Sequence, residues 1–169
     1  VSAAPSRAAV LAWVSTVVRL VLGGILVTAG ALKAIDPQGS VAAVRAYELL
    51  PGGLETIVGW ALPFAEIALG LLLIAGVATR ALAVVTVGLL VIFIVAVISA
   101  AARRLSIDCG CFGGGGEVAA GQTAYGVEIA RDLGFLMLAL WLVWHPRSRF
   151  ALGRTDQEND VEEVPDGRT

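Results

Sequence analysis

Charge is scarce in this chain, and imidazole is nearly missing. Of 169 residues, 15% are Asp, Glu, Lys or Arg, and there is a single histidine. Soluble domains carry about a quarter charged residues, so a water-facing surface on all sides is excluded. The one histidine, His145, lies at the far end of the last apolar run from both cysteines. A zinc site wants about four ligands, so no metal is assigned. Nothing in the chain has the clustered basic character of a nucleic-acid surface, and no nucleic-acid partner is expected. No internal repeat is visible, which puts a transporter built from duplicated halves behind other readings.

What is present in abundance is apolar. Fifty-seven per cent of the residues are hydrophobic and the mean hydropathy is +0.84. A soluble core of this size could not hide so much apolar surface, so the solvent for most of the chain is lipid. Residues 8–32 form a run broken only by Arg19, long enough to cross about 30 Å of hydrocarbon. Arg7 and Ala29-Gly30-Ala31 have some features of a signal peptide, but the run is too long and has a charge at its centre, so it is expected to be retained. Further spans are expected at 56–79, interrupted by Pro63 and Glu66, at 81–102, which has no charge, and at 124–145. Pro63 should free a backbone carbonyl, tolerable where a neighbour satisfies it.

Between the first two spans, Ser40 is a plausible cap for a short interfacial helix over 41–50, ending at Pro51-Gly52-Gly53. The expected fold is all-α: a four-helix transmembrane bundle over residues 8–150, with that short helix in its first loop. Residues 155–169 hold six acids against Arg168, so 151–169 reads as a disordered acidic tail. Four spans put both termini on one side. Arg7, Arg80, Arg147, Arg149 and Arg154 then face Lys33, Arg45, Arg103 and Arg104 across the membrane. That bias places the termini in the cytoplasm and the third loop outside it.

The third loop carries the chemistry. It holds Cys109 and Cys111, one residue apart, within Ile107-Asp108-Cys109-Gly110-Cys111-Phe112-Gly113. Three readings stay open: a redox-active dithiol, an inert pair and a metal site. Redox is favoured, because a disulfide over so short a ring is strained and oxidising, and Gly110 removes a steric obstacle to it. Phe112 and the glycines would shape access to the sulfurs.

Ionisable groups inside the spans come next. A central Arg costs at least about 2.5–3.5 kcal/mol, so Arg19 is expected to meet Glu66 directly or through a water. Glu128, Arg131 and Asp132 share one face of the last helix. Arg131 would lie ~10 Å beneath the loop, level with Lys33, giving a cationic pocket under the dithiol. Such charges serve either as structural pairs that fix helix register or in proton transfer and cofactor polarisation.

An ordered set of these features resembles the MauE-like, DoxX-related membrane proteins. It comprises Arg19; Gly30 with Lys33; Tyr47-Glu48-Leu49-Leu50-Pro51; Pro63 with Glu66 and Gly70; Cys109-Gly110-Cys111-Phe112-Gly113; and Arg131-Asp132. The resemblance covers roughly residues 14–145, and Asp132 stands where the family often has Asn. It implies four membrane helices and thiol-disulfide chemistry, with ties to methylamine metabolism and the maturation of a disulfide-rich periplasmic dehydrogenase. The expected partners are the bilayer, a thioredoxin-like extracytoplasmic protein and, as electron carrier, a quinone. Cys109 and Cys111 would then be the exchanging pair of a thiol-disulfide oxidoreductase, with Arg19, Lys33, Tyr47, Glu66, Arg131 and Asp132 lining its polar interior. The alternative from another class is a non-catalytic assembly subunit of a membrane complex.

Overall fold

The computed structural model describes residues 6–110, 114–119, 125–148 and 151–152. Its elements in chain order are α1 (Arg7–Ile35), α2 (Pro37–Ala46), α3 (Leu54–Ala75), α4 (Thr79–Ala102), β1 (Ile107–Asp108), β2 (Gly116–Glu117) and α5 (Tyr125–Trp144). Four long helices share one core, formed by Leu22 and Leu26 of α1, Leu73 of α3, Ala83 and Leu90 of α4, and Ala139 and Leu142 of α5. Apolar residues elsewhere face outward: Val17, Ile57, Phe64, Ile92 and Met137 are each more than half exposed. An all-round apolar surface with its charges turned inward is the arrangement that hydrocarbon selects.

Among the described residues, three helices are long and apolar enough to cross a membrane: α1, α3 and α4. The chain is therefore mostly helical, with several apolar spans. The fifth helix, α5, is 20 residues long but carries Glu128, Arg131 and Asp132, and it stands apart from that set.

In lipid, helix association depends on close packing rather than on a hydrophobic drive. The α1–α3 seam shows how. Gly23 of α1 and Gly70 of α3 face each other so closely that a Cβ on Gly70 would lie 2.6 Å from the Gly23 carbonyl oxygen. One turn-pair further along, Gly30 sits against Pro63 and Ile67. The two helices run antiparallel, and this seam fixes their register.

Helix α2 is not capped by Ser40 over 41–50, as the sequence suggested. It begins at Pro37, whose missing N–H is harmless in a first turn, and Asp36 Oδ1 accepts from the Gly39 N–H at 2.9 Å. Ser40 lies inside the helix and has a different task. A proline at position 63 cannot donate to the carbonyl four residues earlier, which is that of Gly59. The Ser40 hydroxyl donates to that same oxygen at 2.8 Å, and Val41 fills the space beside Gly59. The carbonyl that Pro63 leaves without its helical donor is thus satisfied by α2, which packs along α3's first turns.

Downstream, Gly76 closes α3 in the left-handed conformation, and a short turn leads into α4. Beyond α5, the Leu152 N–H donates to the Ala75 carbonyl at 3.2 Å. The rest of the tail lies outside the described residues.

Candidate functional site

The cysteine loop is the turn of a short antiparallel hairpin. Ile107 pairs with Glu117 and Asp108 with Gly116, so residues 109–115 form the connection. No strand was foreseen from the sequence, because two-residue strands leave no periodicity to read. Gly110 and Gly115 both have positive φ, and each sits directly on the Ala43 methyl of α2. A Cβ on Gly115 would lie 2.4 Å from that methyl, so the loop can rest on α2 only as glycine.

Polar contacts hold the hairpin in place. The Tyr47 hydroxyl donates to the Cys109 carbonyl at 3.4 Å, and Arg103 donates to the Tyr47 carbonyl. From the other side, the Tyr125 hydroxyl donates to the Leu105 carbonyl at 2.6 Å. Asp108 Oδ1 accepts from the Gly110 N–H at 3.3 Å, closing the turn at the first cysteine.

Cys109 is half-buried at the mouth of the helices. Arg131 Nη2 of α5 reaches to 3.6 Å from its sulfur. The other edge of the same guanidinium is fixed by Asp132, whose Oδ1 accepts from Nε at 3.0 Å. Glu128, one turn nearer the loop, completes the group: donor atoms of Asp108, Cys109 and Glu128 all lie within 4.8 Å of one another. Glu128 is nine-tenths buried, and its Oε2 accepts no hydrogen bond among the described residues. Cys111 and Phe112 lie outside the described residues.

A second polar cluster lies within the bundle. Lys33 Nζ donates to both oxygens of Glu66, at 2.6 and 2.7 Å, and both side chains are almost fully buried. The Phe93 ring of α4 lies beneath the ammonium, 5.5 Å to its centroid. The expected Arg19–Glu66 contact is therefore corrected: the partner of Glu66 is Lys33. The α1–α3 register is the reason. With Gly30 opposite Pro63 and Ile67, Glu66 falls level with the end of α1, while Arg19 falls level with the end of α3. There the Arg19 guanidinium occupies the space beside Gly76, the residue that closes α3, at the helix end whose dipole favours a cation. Nearby, Trp141 donates from Nε1 to the Ser15 hydroxyl at 3.3 Å and stacks on His145.

The structure thus sorts the expected residues into three places. Cys109, Tyr47, Arg131 and Asp132 meet at the hairpin; Lys33 and Glu66 pair in the interior; Arg19 sits at the opposite end. The sequence matches the family described as "Methylamine utilisation protein MauE" over residues 11–145. The chain belongs to the MauE family. No curated protein and no solved structure matches it. In this MauE-family chain, two site residues escaped the sequence reading: Tyr125, and Glu128 as a neighbour of sulfur. Their signal was the spacing of Tyr125, Glu128, Arg131 and Asp132, which puts them on one stripe of α5.

Proposed function

We propose that this MauE-family protein is a multi-pass membrane protein that exchanges disulfides through Cys109 and Cys111. In this reading α5 crosses the bilayer as a fourth span, its charged residues kept away from lipid by the hairpin and by α4. The termini are cytoplasmic and the hairpin is extracytoplasmic, in keeping with five Lys/Arg on the first side and four on the second. The observation that carries the redox reading is the guanidinium of Arg131, 3.6 Å from the Cys109 sulfur and steered there by Asp132. A cation at that distance favours the thiolate, which is the attacking form.

The step balances without further reagents. The Cys109 thiolate attacks a disulfide of a thioredoxin-like partner, one sulfur–sulfur bond forms, and the partner's other sulfur leaves as a thiolate. Cys111 then displaces the second partner sulfur. Two electrons pass from the Cys109/Cys111 dithiol to the partner, two thiol protons are released as the two partner sulfurs take them up, and the reverse is the same exchange read backwards. Tyr47 holds the Cys109 backbone during this exchange, and a membrane quinone is the electron carrier proposed for the interior side of the dithiol.

The test uses the full chain in lipid nanodiscs with a thioredoxin-like protein. Cys109→Ser and Cys111→Ser should each abolish exchange, and one of them should accumulate a mixed disulfide. Unchanged exchange in both variants eliminates the proposal. Labelling of intact cells with a membrane-impermeant maleimide should modify the loop from outside, and labelling only after lysis would reverse the topology.

A further inference from the structure

The Asp108–Cys109–Glu128 group has a charge problem that the redox reading leaves unanswered. Three groups that ionise to anions share one space, their donor atoms within 4.8 Å. The nearest cation, Arg131, divides one charge between Asp132, 3.0 Å from its Nε, and the Cys109 sulfur, 3.6 Å from its Nη2, and so cannot balance all of these groups. Tyr125, on the same stripe, has only a phenol to offer, and its hydroxyl is committed to Leu105. Meanwhile Glu128 is 92% buried by its 8% exposure, with a carboxylate oxygen that no donor reaches among the described residues. A buried, unsatisfied carboxylate oxygen costs about 1–3 kcal/mol or more. One oxygen of that buried carboxylate lies within 4.8 Å of both the Cys109 sulfur and an Asp108 oxygen.

We propose that Asp108, Cys109 and Glu128 form a binding site for a borderline-soft divalent cation such as zinc(II). One sulfur and two carboxylate oxygens are a donor set that zinc accepts, leaving a fourth position for water. Bonds of about 2.0–2.3 Å set tetrahedral ligands roughly 3.3–3.8 Å apart, so side-chain rotations of about 1 Å close the site. The cation supplies the charge that the cluster lacks and gives the buried Glu128 carboxylate a partner. On binding, the Cys109 S–H bond breaks, the sulfur–metal bond forms and the proton goes to water. Arg131 remains beside the sulfur as a hydrogen-bond donor, the usual role of an outer group at a metal-bound ligand. Resting on the redox reading, a bound cation would also hold Cys109 out of exchange.

The experiment titrates cobalt(II), then zinc(II), into the full chain in nanodiscs, reduced with a phosphine. One cobalt per chain should bind with a sulfur-to-metal charge-transfer band, which zinc abolishes by displacement. Cys109→Ser should lose the band. Glu128→Gln and Asp108→Asn should each weaken binding by at least about tenfold, while Glu117→Gln, exposed on β2, should bind as the wild type does. Asp108 is exposed, so its variant reports on the site even if Glu128→Gln disturbs the fold. Absence of the band, its survival in Cys109→Ser, or wild-type affinity in Asp108→Asn overturns the proposal. Disulfide exchange is assayed separately with a chelator present. Exchange without metal binding sinks only this inference, and metal binding without exchange sinks only the redox reading.

Discussion

The Lys33–Glu66 pair offers the sharpest test of the bundle's register. Both carboxylate oxygens accept from one ammonium, and the side chains are 5% and 2% exposed. Removing either partner leaves the other charge in a low-dielectric interior, which destabilises by about 3–5 kcal/mol. That corresponds to roughly two to four orders of magnitude in the folded-to-unfolded ratio. The lower end is expected here, because an unfolded membrane protein still finds polar partners in the bilayer. Lys33→Met and Glu66→Leu should therefore each cost about 3 kcal/mol in reversible unfolding from mixed micelles. The double variant should recover most of that loss, since two apolar side chains replace two charges that cancelled. Single variants as stable as the wild type, or a double variant no better than the worse single, would refute the argument that the two charges act as a unit. Arg19→Met gives the contrast: combined with Glu66→Leu it should show no recovery, because the two residues are not partners.

Three further outcomes follow from the described contacts. Ser40→Ala should cost about 1–3 kcal/mol by stranding the Gly59 carbonyl, and the same change in a Pro63→Ala background should be nearly neutral, because residue 63 then donates to that oxygen. A double-mutant cycle of unfolding free energies reads the coupling. Gly70→Val should loosen the α1–α3 seam by about 1–3 kcal/mol through overpacking against Gly23, visible as a fall in melting temperature, whereas Gly88→Val, with open space at its Cβ, should change little. Arg131→Gln in a Cys111→Ser background should slow alkylation of Cys109 at neutral pH by roughly tenfold, and an unchanged rate would remove the guanidinium from the chemistry.

Most of the helices were legible because their signal is local. An apolar run of span length is read within its own residues, so 8–32 was read close to Arg7–Ile35, and 81–102 close to Thr79–Ala102. Ser40 was misread as a cap for a related reason. Its hydroxyl serves a carbonyl 19 positions away, freed by a proline that local rules do flag but cannot pair with a donor. Arg19 was given to Glu66 because both are central in their own runs. Which residues share a level depends on the glycine seam between helices, and no single-span argument contains that register. At the site, Cys109, Arg131 and Asp132 were visible as chemistry-bearing types. The nearness of Glu128 to sulfur was not, since it follows from how the hairpin folds back over α5.

Ala43 carries no chemistry of its own, yet it sets the height at which the Cys109 sulfur sits. Its methyl is the floor on which Gly110 and Gly115 rest, and the same short helix serves the carbonyl freed by Pro63 in its neighbour through Ser40. Thickening that floor by a single methylene would lift the whole turn away from the cation on the last helix. An alanine that looks like filler is the spacer between scaffold and chemistry.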